Sequence, residues 1–305
     1  MAQLIKLQNY ITRYEWDIYR YPSQFIRLKQ DNWKKLQYLW QNQEEMQLPE
    51  SEEETSKKNK WKFFAKKHQA DLAEKPRVED NLPNSEKELK RYFLDHLLPF
   101  QFKWATSTIS NVSFVEKKYY TDKTLQYFLQ RFPDTFLLMY YPIFEIRNAP
   151  VETEIILITP IGIDIIYLLE ETPDTIISAT EERSWTFETN NKVTKKLSPI
   201  FALKRTEKIV RGILDKYEID FPIEKIVLSR TNIINFLSEP YKTRIIGKKD
   251  YENWFKVKRS LSSPLKSNQL KGAEALLKHC QSTYVKRPEW LEEEDNGFII
   301  NEEES

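Results

Sequence analysis

Residues 152–171 read ETEIILITPIGIDIIYLLEE, two apolar runs separated by Thr159-Pro160-Ile161-Gly162 and flanked by acids. No other stretch restricts the fold so tightly. Each run is short, rich in β-branched residues and bounded by turn formers, the pattern of a strand rather than a helix. Neither run alternates with polar residues, so both faces of each strand are expected to be buried, in the middle of a sheet. Gly162 is expected to supply the permissive backbone that a tight turn needs. A hairpin of this kind requires strands beside it and helices above and below it. A chain of 305 residues has room for one good-sized domain with additions, or for two.

The neighbouring sequence supplies those layers. Residues 135–146, TFLLMYYPIFEI, read as one strand. Residues 122–131 form a short helix with Leu125, Phe128 and Leu129 inward, and 113–122 a weak strand. After the hairpin, 182–190 reads as an edge element. Ser198 and Pro199 give a strong helix start for the segment through 219. Residues 223–231 return as a strand. The order helix, three strands, helix, strand is an α/β arrangement with mixed pairing. Segments around 251–261 and 268–285 read as helices.

The flanks have a different character. Leu4, Leu7, Ile11, Tyr14 and Ile18 recur at intervals of three and four, which predicts an amphipathic helix interrupted by Pro22. Ser23 then caps a second helix carrying Phe25, Leu28, Trp33, Leu36 and Trp40. Residues 1–48 thus read as an aromatic-rich helical arm, with its apolar faces either packed on the main domain or open to a protein partner. Residues 49–84 run from acidic to basic without an apolar period and read as a charged linker. Within it, Lys60, Trp61 and Lys62 lie in a lysine–aromatic stretch that suits single-stranded nucleic acid, or simply forms a solvated helix. Ser85 with Glu88 is a capping-box pattern opening a helix that Pro99 is expected to end. The main α/β domain is placed at 85–262, followed by a C-terminal helix and acidic tail at 263–305.

Composition excludes several chemistries. Five glycines, with neither GxxxxGK[ST] nor GxGxxG among them, leave no phosphate-cradling loop of those kinds. One cysteine excludes an intramolecular disulfide, and three scattered histidines lack metal-ligand spacing. The formal net charge is +1, so only local patches could attract nucleic acid. The mean hydropathy of −0.65, the absence of a secretory-type apolar core near residue 1 and the lack of an apolar run of about 20 residues lead us to expect a cytoplasmic chain with no membrane contact.

The order and spacing of residues 121–235 resemble the nuclease-related domain (NERD) family, a branch of the restriction-endonuclease-like fold. Its Gln-Ile-Asp positions match Glu152-Thr153-Glu154, its glycine turn Thr159-Pro160-Ile161-Gly162, and its tryptophan Trp185. Its Asn-Pro helix opening matches Ser198-Pro199. Its Ile-Glu-x-Lys strand end matches Tyr167-Leu168-Leu169 at the reactive positions. The resemblance implies a restriction-endonuclease-like core with an N-terminal helical extension.

Hydrolysis of a phosphodiester on such a core needs carboxylates around a hard cation such as Mg²⁺, and a positive group to offset the charge gathering on phosphate. Glu154 remains as one weak metal-ligand candidate, whereas Tyr167 and Leu169 serve neither role. The expected protein is therefore a non-catalytic binding or scaffold module with no cofactor. Two alternatives stand beside it. One is a Mg²⁺-dependent nuclease with a relocated site drawn from Glu152, Glu154, Asp164 and Lys204, with Lys196 as a second lysine nearby. A separate route to the same activity is a one-residue slip that turns Asp164 and Glu170 towards the site, although no lysine then follows at the right place. The other is a nucleic-acid binder using residues 57–69 and the basic helix with Lys204, Arg205, Lys208 and Arg211.

Overall fold

A computed structural model describes residues 1–42, 82–180 and 182–287. The chain divides into two compact units, one of residues 1–26 with 100–305 and the other of 27–99. Among the described residues the elements are, in order, β1 (Gln3–Leu7), α1 (Tyr21–Gln41), α2 (Glu86–Thr106), β2 (Asn111–Val112), α3 (Lys123–Arg131), β3 (Leu137–Tyr140), β4 (Ile143–Ile146) and β5 (Ala149–Glu152). Then come β6 (Ile155–Thr159), β7 (Gly162–Leu168), β8 (Ile176–Ser178), β9 (Ser184–Thr189), β10 (Lys192–Leu197), α4 (Ile200–Lys216) and β11 (Ile223–Leu228). The series ends with β12 (Ile233–Asn235), β13 (Thr243–Ile246), α5 (Lys248–Arg259), α6 (Ser267–Leu277) and β14 (Val285–Lys286).

The larger unit is built on a six-stranded sheet ordered β1-β3-β6-β7-β11-β13. β3, β6 and β7 form an antiparallel meander, and β1, β11 and β13 join in parallel pairings. The apolar hairpin lies at the centre, with every residue of β6 and the first five of β7 buried. α4 and α6 lie on one face, where Gln269 Nε2 donates to the Ile158 carbonyl (3.0 Å) and Glu207 pairs with Lys225. α5 lies on the other, where Lys258 reaches Asp164. A second sheet, ordered β10-β9-β8-β12, branches from the segment between β7 and α4 and from the chain after β11. The coarse expectation of a mixed α/β chain is met.

The hairpin turn closes differently from the expectation. Pro160 and Ile161 form a two-residue loop without a residue in the left-handed region. Gly162 is needed for space instead, because a Cβ there would stand 2.9 Å from the Pro222 carbonyl oxygen. Thr159 Oγ1 braces the loop, accepting from the Ile161 N–H and donating to the Gly162 carbonyl. Gly162→Ala is expected to lower the unfolding free energy by about 1–3 kcal/mol, through the shift forced on the β11 entry. Urea unfolding of the two proteins checks this. The left-handed pairs Arg147–Asn148 and Asn190–Asn191 close the β4–β5 and β9–β10 hairpins, as two-residue loops of that hand do.

Several expectations need correction. The helix expected from Leu4 to Ile18 is the strand β1 followed by a short 3-10 turn, Arg13–Glu15. All five residues of β1 are buried, and an apolar run this short fits either period. Residues 1–26 therefore belong with the main sheet rather than to an arm. Pro22 sits in the first turn of α1, where the missing N–H costs nothing, and does not interrupt a helix. Pro99 lies inside α2, which continues to Thr106. The Ser85 hydroxyl does cap this helix, accepting from the Glu88 N–H at 3.3 Å. Residues 135–146 break into β3 and β4 at Tyr141, whose φ is +46°. Residues 113–122 hold a 3-10 turn, Lys117–Thr121, rather than a strand. α6 packs against α4 through Gly272, close to Leu214 and Phe221, so the domain continues past 262. The lysine–aromatic stretch at 57–69, with Lys60, Trp61 and Lys62, and the acidic tail beyond 291 lie outside the described residues.

Candidate functional site

Strand alternation decides which side chains can meet. β6 and β7 pair Ile156 with Ile165 and Ile158 with Ile163, so even positions of β6 share a face with odd positions of β7. Glu154, just before β6, and Tyr167 therefore lie on the face covered by α4. Tyr141 is drawn to the same place, because Thr153 donates both its N–H (3.1 Å) and its hydroxyl (2.8 Å) to the Pro142 carbonyl. α4 closes the cluster. Thr206 Oγ1 accepts from the Glu154 N–H (3.2 Å), and Arg205 Nη2 donates to the Glu152 carbonyl (3.1 Å). The site is thus a half-buried carboxylate between two half-buried phenols, beneath the basic helix.

Burial dominates its electrostatics. Desolvation raises Glu154 to about 7, opposed by the Arg205 guanidinium and reinforced by the Glu152 charge. Tyr167 is raised by desolvation and then by the Glu154 charge. Tyr141 moves the same way for the same reasons. The left-handed backbone of Tyr141 is costly for a bulky residue and is held by the following Pro142 and its hydrogen bonds from Thr153.

For a carboxyl whose native pKa lies above its unfolded value, the native state holds the extra proton, so its contribution to stability falls as pH rises from about 4.5 to about 7. Glu154→Gln is therefore expected to match the parent near pH 4 and to exceed it near pH 8 by about 1–2 kcal/mol, allowing for solvent screening. Thermal unfolding at the two pH values reads the difference.

The relocated site does not assemble. Asp164 is opposite Leu157 and projects to the other face of the sheet, with no register slip. There it meets Lys258 of α5 at 2.6 Å, both side chains being almost wholly buried. Desolvation lifts its carboxyl to about 6 against the pull of Lys258. Glu152 is exposed in β5, and Lys204 is exposed on α4. Lys196 is engaged by Glu171 at 2.5 Å and lies over the Phe187 ring, while Lys225 on the site's face is engaged by Glu207. Leu169 is buried, its N–H donating to the Leu228 carbonyl at 2.8 Å. Asp122 is spent on structure. One oxygen caps α3 through the Thr124 and Leu125 N–H groups, and the other accepts from the Tyr140 hydroxyl at 2.8 Å. Among the described residues no group of three or more His, Cys, Asp or Glu side chains is placed to hold a metal ion.

On α4, Lys204, Lys208 and Arg211 follow at intervals of four and three and are all exposed. Arg211 bonds Glu207 at 3.2 Å, and Arg205 points back to Glu152. The sequence reading missed Tyr141 as part of the site. Its one sequence mark, Pro142 directly after it, favours an extended backbone at Tyr141 and so points away from the left-handed turn found.

No family model matches the chain, and no solved structure matches it. A Geobacillus stearothermophilus protein named RNA 2',3'-cyclic phosphodiesterase is 51% identical over 41 residues, 13% of this chain and 13% of that protein. Among the described residues, no helix is long and apolar enough to cross a membrane.

Proposed function

We propose that the chain is a non-catalytic, nuclease-related binding module with a restriction-endonuclease-like core, and that it holds nucleic acid along the exposed basic row of α4. The order α3, β3, β6, β7, α4, β11, with an antiparallel meander and a parallel fourth strand, supports the core. One observation carries the reading of inertness. The strand positions that would bear a carboxylate and a lysine beside Glu154 hold the Tyr167 phenol and the buried Leu169. A phenol and an isobutyl group bring neither a second hard ligand nor a positive charge to a scissile phosphate. Lys204, Lys208 and Arg211 support phosphate contact by their spacing and exposure. The short likeness to a protein named for RNA chemistry makes RNA one of the polymers to test.

The test uses the whole chain with single- and double-stranded DNA and RNA, in Mg²⁺ and in Mn²⁺. We expect no cleavage above that of Glu154→Ala. Cleavage that disappears in Glu154→Ala would overturn the reading. Binding followed by fluorescence anisotropy is expected to weaken with salt, with a log–log slope of roughly −2 to −3 for three phosphate contacts, and to flatten in Lys204→Glu/Lys208→Glu. A parent protein that leaves anisotropy unchanged at low salt removes nucleic acid as the partner.

A further inference from the structure

β10 is an open edge with an unusual surface. It pairs with β9 along all six residues and ends the second sheet, so its other side is unpaired among the described residues. All six side chains are exposed. Val193 and Leu197 are 62% and 60% exposed, and they share one face with Lys195. Lysines on an open edge repel a second copy of the same edge. They attract a strand of opposite charge, and the two aliphatic side chains give such a strand something to cover.

The sequence contains one segment of that chemistry. Residues 292–304, EEEDNGFIINEEE, hold seven acids, no base, and the apolar triplet Phe298-Ile299-Ile300 at the centre. The other acidic run, at 50–54, has no apolar residue. We propose that residues 295–303 of this chain add to the free edge of β10 as an extended strand, with Phe298 and Ile300 on the face that carries Val193, Lys195 and Leu197 and the flanking acids beside Lys192 and Lys195. Main-chain hydrogen bonds supply the pairing, and alternate side chains and charge supply the selectivity. A nucleic acid suits this strand less well, because aliphatic Val193 and Leu197 offer bases no ring to stack on. The inference stands apart from the reading of α4 and does not need it.

Hydrogen exchange of the full chain, followed by mass spectrometry over residues 190–197, tests it. We expect the β10 amides to exchange about tenfold faster in Phe298→Asp/Ile300→Asp than in the parent, at an unchanged thermal midpoint. Lys192→Glu/Lys195→Glu should show the same acceleration. Adding Glu302→Lys/Glu303→Lys to that variant should restore slow exchange, a rescue that a merely structural role for the lysines would not give. Equal exchange in the parent and the Phe298/Ile300 variant would overturn the proposal, as would failure of the charge swap to rescue. Protection of the same amides by a single-stranded oligonucleotide, with no effect of the tail substitutions, would also overturn it and give the edge to nucleic acid.

Discussion

Lys258→Ala is expected to lower the unfolding free energy by about 3–5 kcal/mol, the range for breaking a buried ion pair by removing one partner. Lys258 Nζ stands 2.6 Å from Asp164 Oδ2 and 3.7 Å from Glu224 Oε2, and desolvation already lifts the Asp164 carboxyl to about 6 with the ammonium in place. Without it, the carboxyl must stay protonated or remain charged beneath α5. The sign of the pH dependence follows. Asp164 has a native pKa above its unfolded value, so the stability it contributes is present below about 4 and is lost as pH rises towards about 6. Removing Lys258 should extend that loss to higher pH. Replacing both partners, in Asp164→Leu/Lys258→Met, should bring stability back to within about 1 kcal/mol of the parent, because neither buried charge then remains. Urea unfolding at pH 5 and pH 8 reads all three proteins. Recovery of stability in the double replacement would mark Asp164 as a structural residue. A single variant with nearly parental stability would refute the account.

Glu15→Ala is expected to cost about 3 kcal/mol, the lower end of the same range, because Glu15 is partly open to water. Its partner Lys6 is wholly buried in β1, with Nζ 2.5 Å from Glu15 and 2.7 Å from the Ser282 hydroxyl, which in turn donates to Glu15. Without the carboxylate the ammonium keeps one neutral partner. Lys6→Met should be milder than Glu15→Ala, since it leaves the charge that water can reach. The order of the two thermal midpoints decides the matter, and the reverse order would contradict this assignment.

These two pairs also show where sequence reading succeeds and where it stops. The central hairpin, α3, α4 and β11 are legible because each depends on neighbours in sequence: apolar runs of β-branched residues, Asp122 as a cap, Ser198-Pro199 as a helix start. Asp164 read on its own allowed a catalytic acid or a carboxylate paired with a lysine. The partner that decides between these lies on α5, remote in sequence and without a local mark. β1 was misread because a buried edge strand with polar Gln3 and Lys6 mimics a helical period. Those polar groups are tolerated through partners outside the strand: the Asp134 and Pro22 carbonyls and the Tyr14 hydroxyl for Gln3, and Glu15 with Ser282 for Lys6. At the candidate site, the apolar run Tyr167-Leu168-Leu169 beyond Asp164 was visible. The Tyr141 phenol beside Glu154 was not, because a left-handed backbone at a tyrosine has no sequence signature.

β1 pairs with β3 between positions as far apart as Gln3 and Leu137. On a ribosome, β1 must wait for well over a hundred further residues before its template emerges. Closing a loop of that length costs about 4 kcal/mol of chain entropy before any contact returns it. Leu4, Ile5 and Leu7 are uncovered throughout that interval, so the nascent chain should be slow to mature and should depend on chaperones that hold this strand.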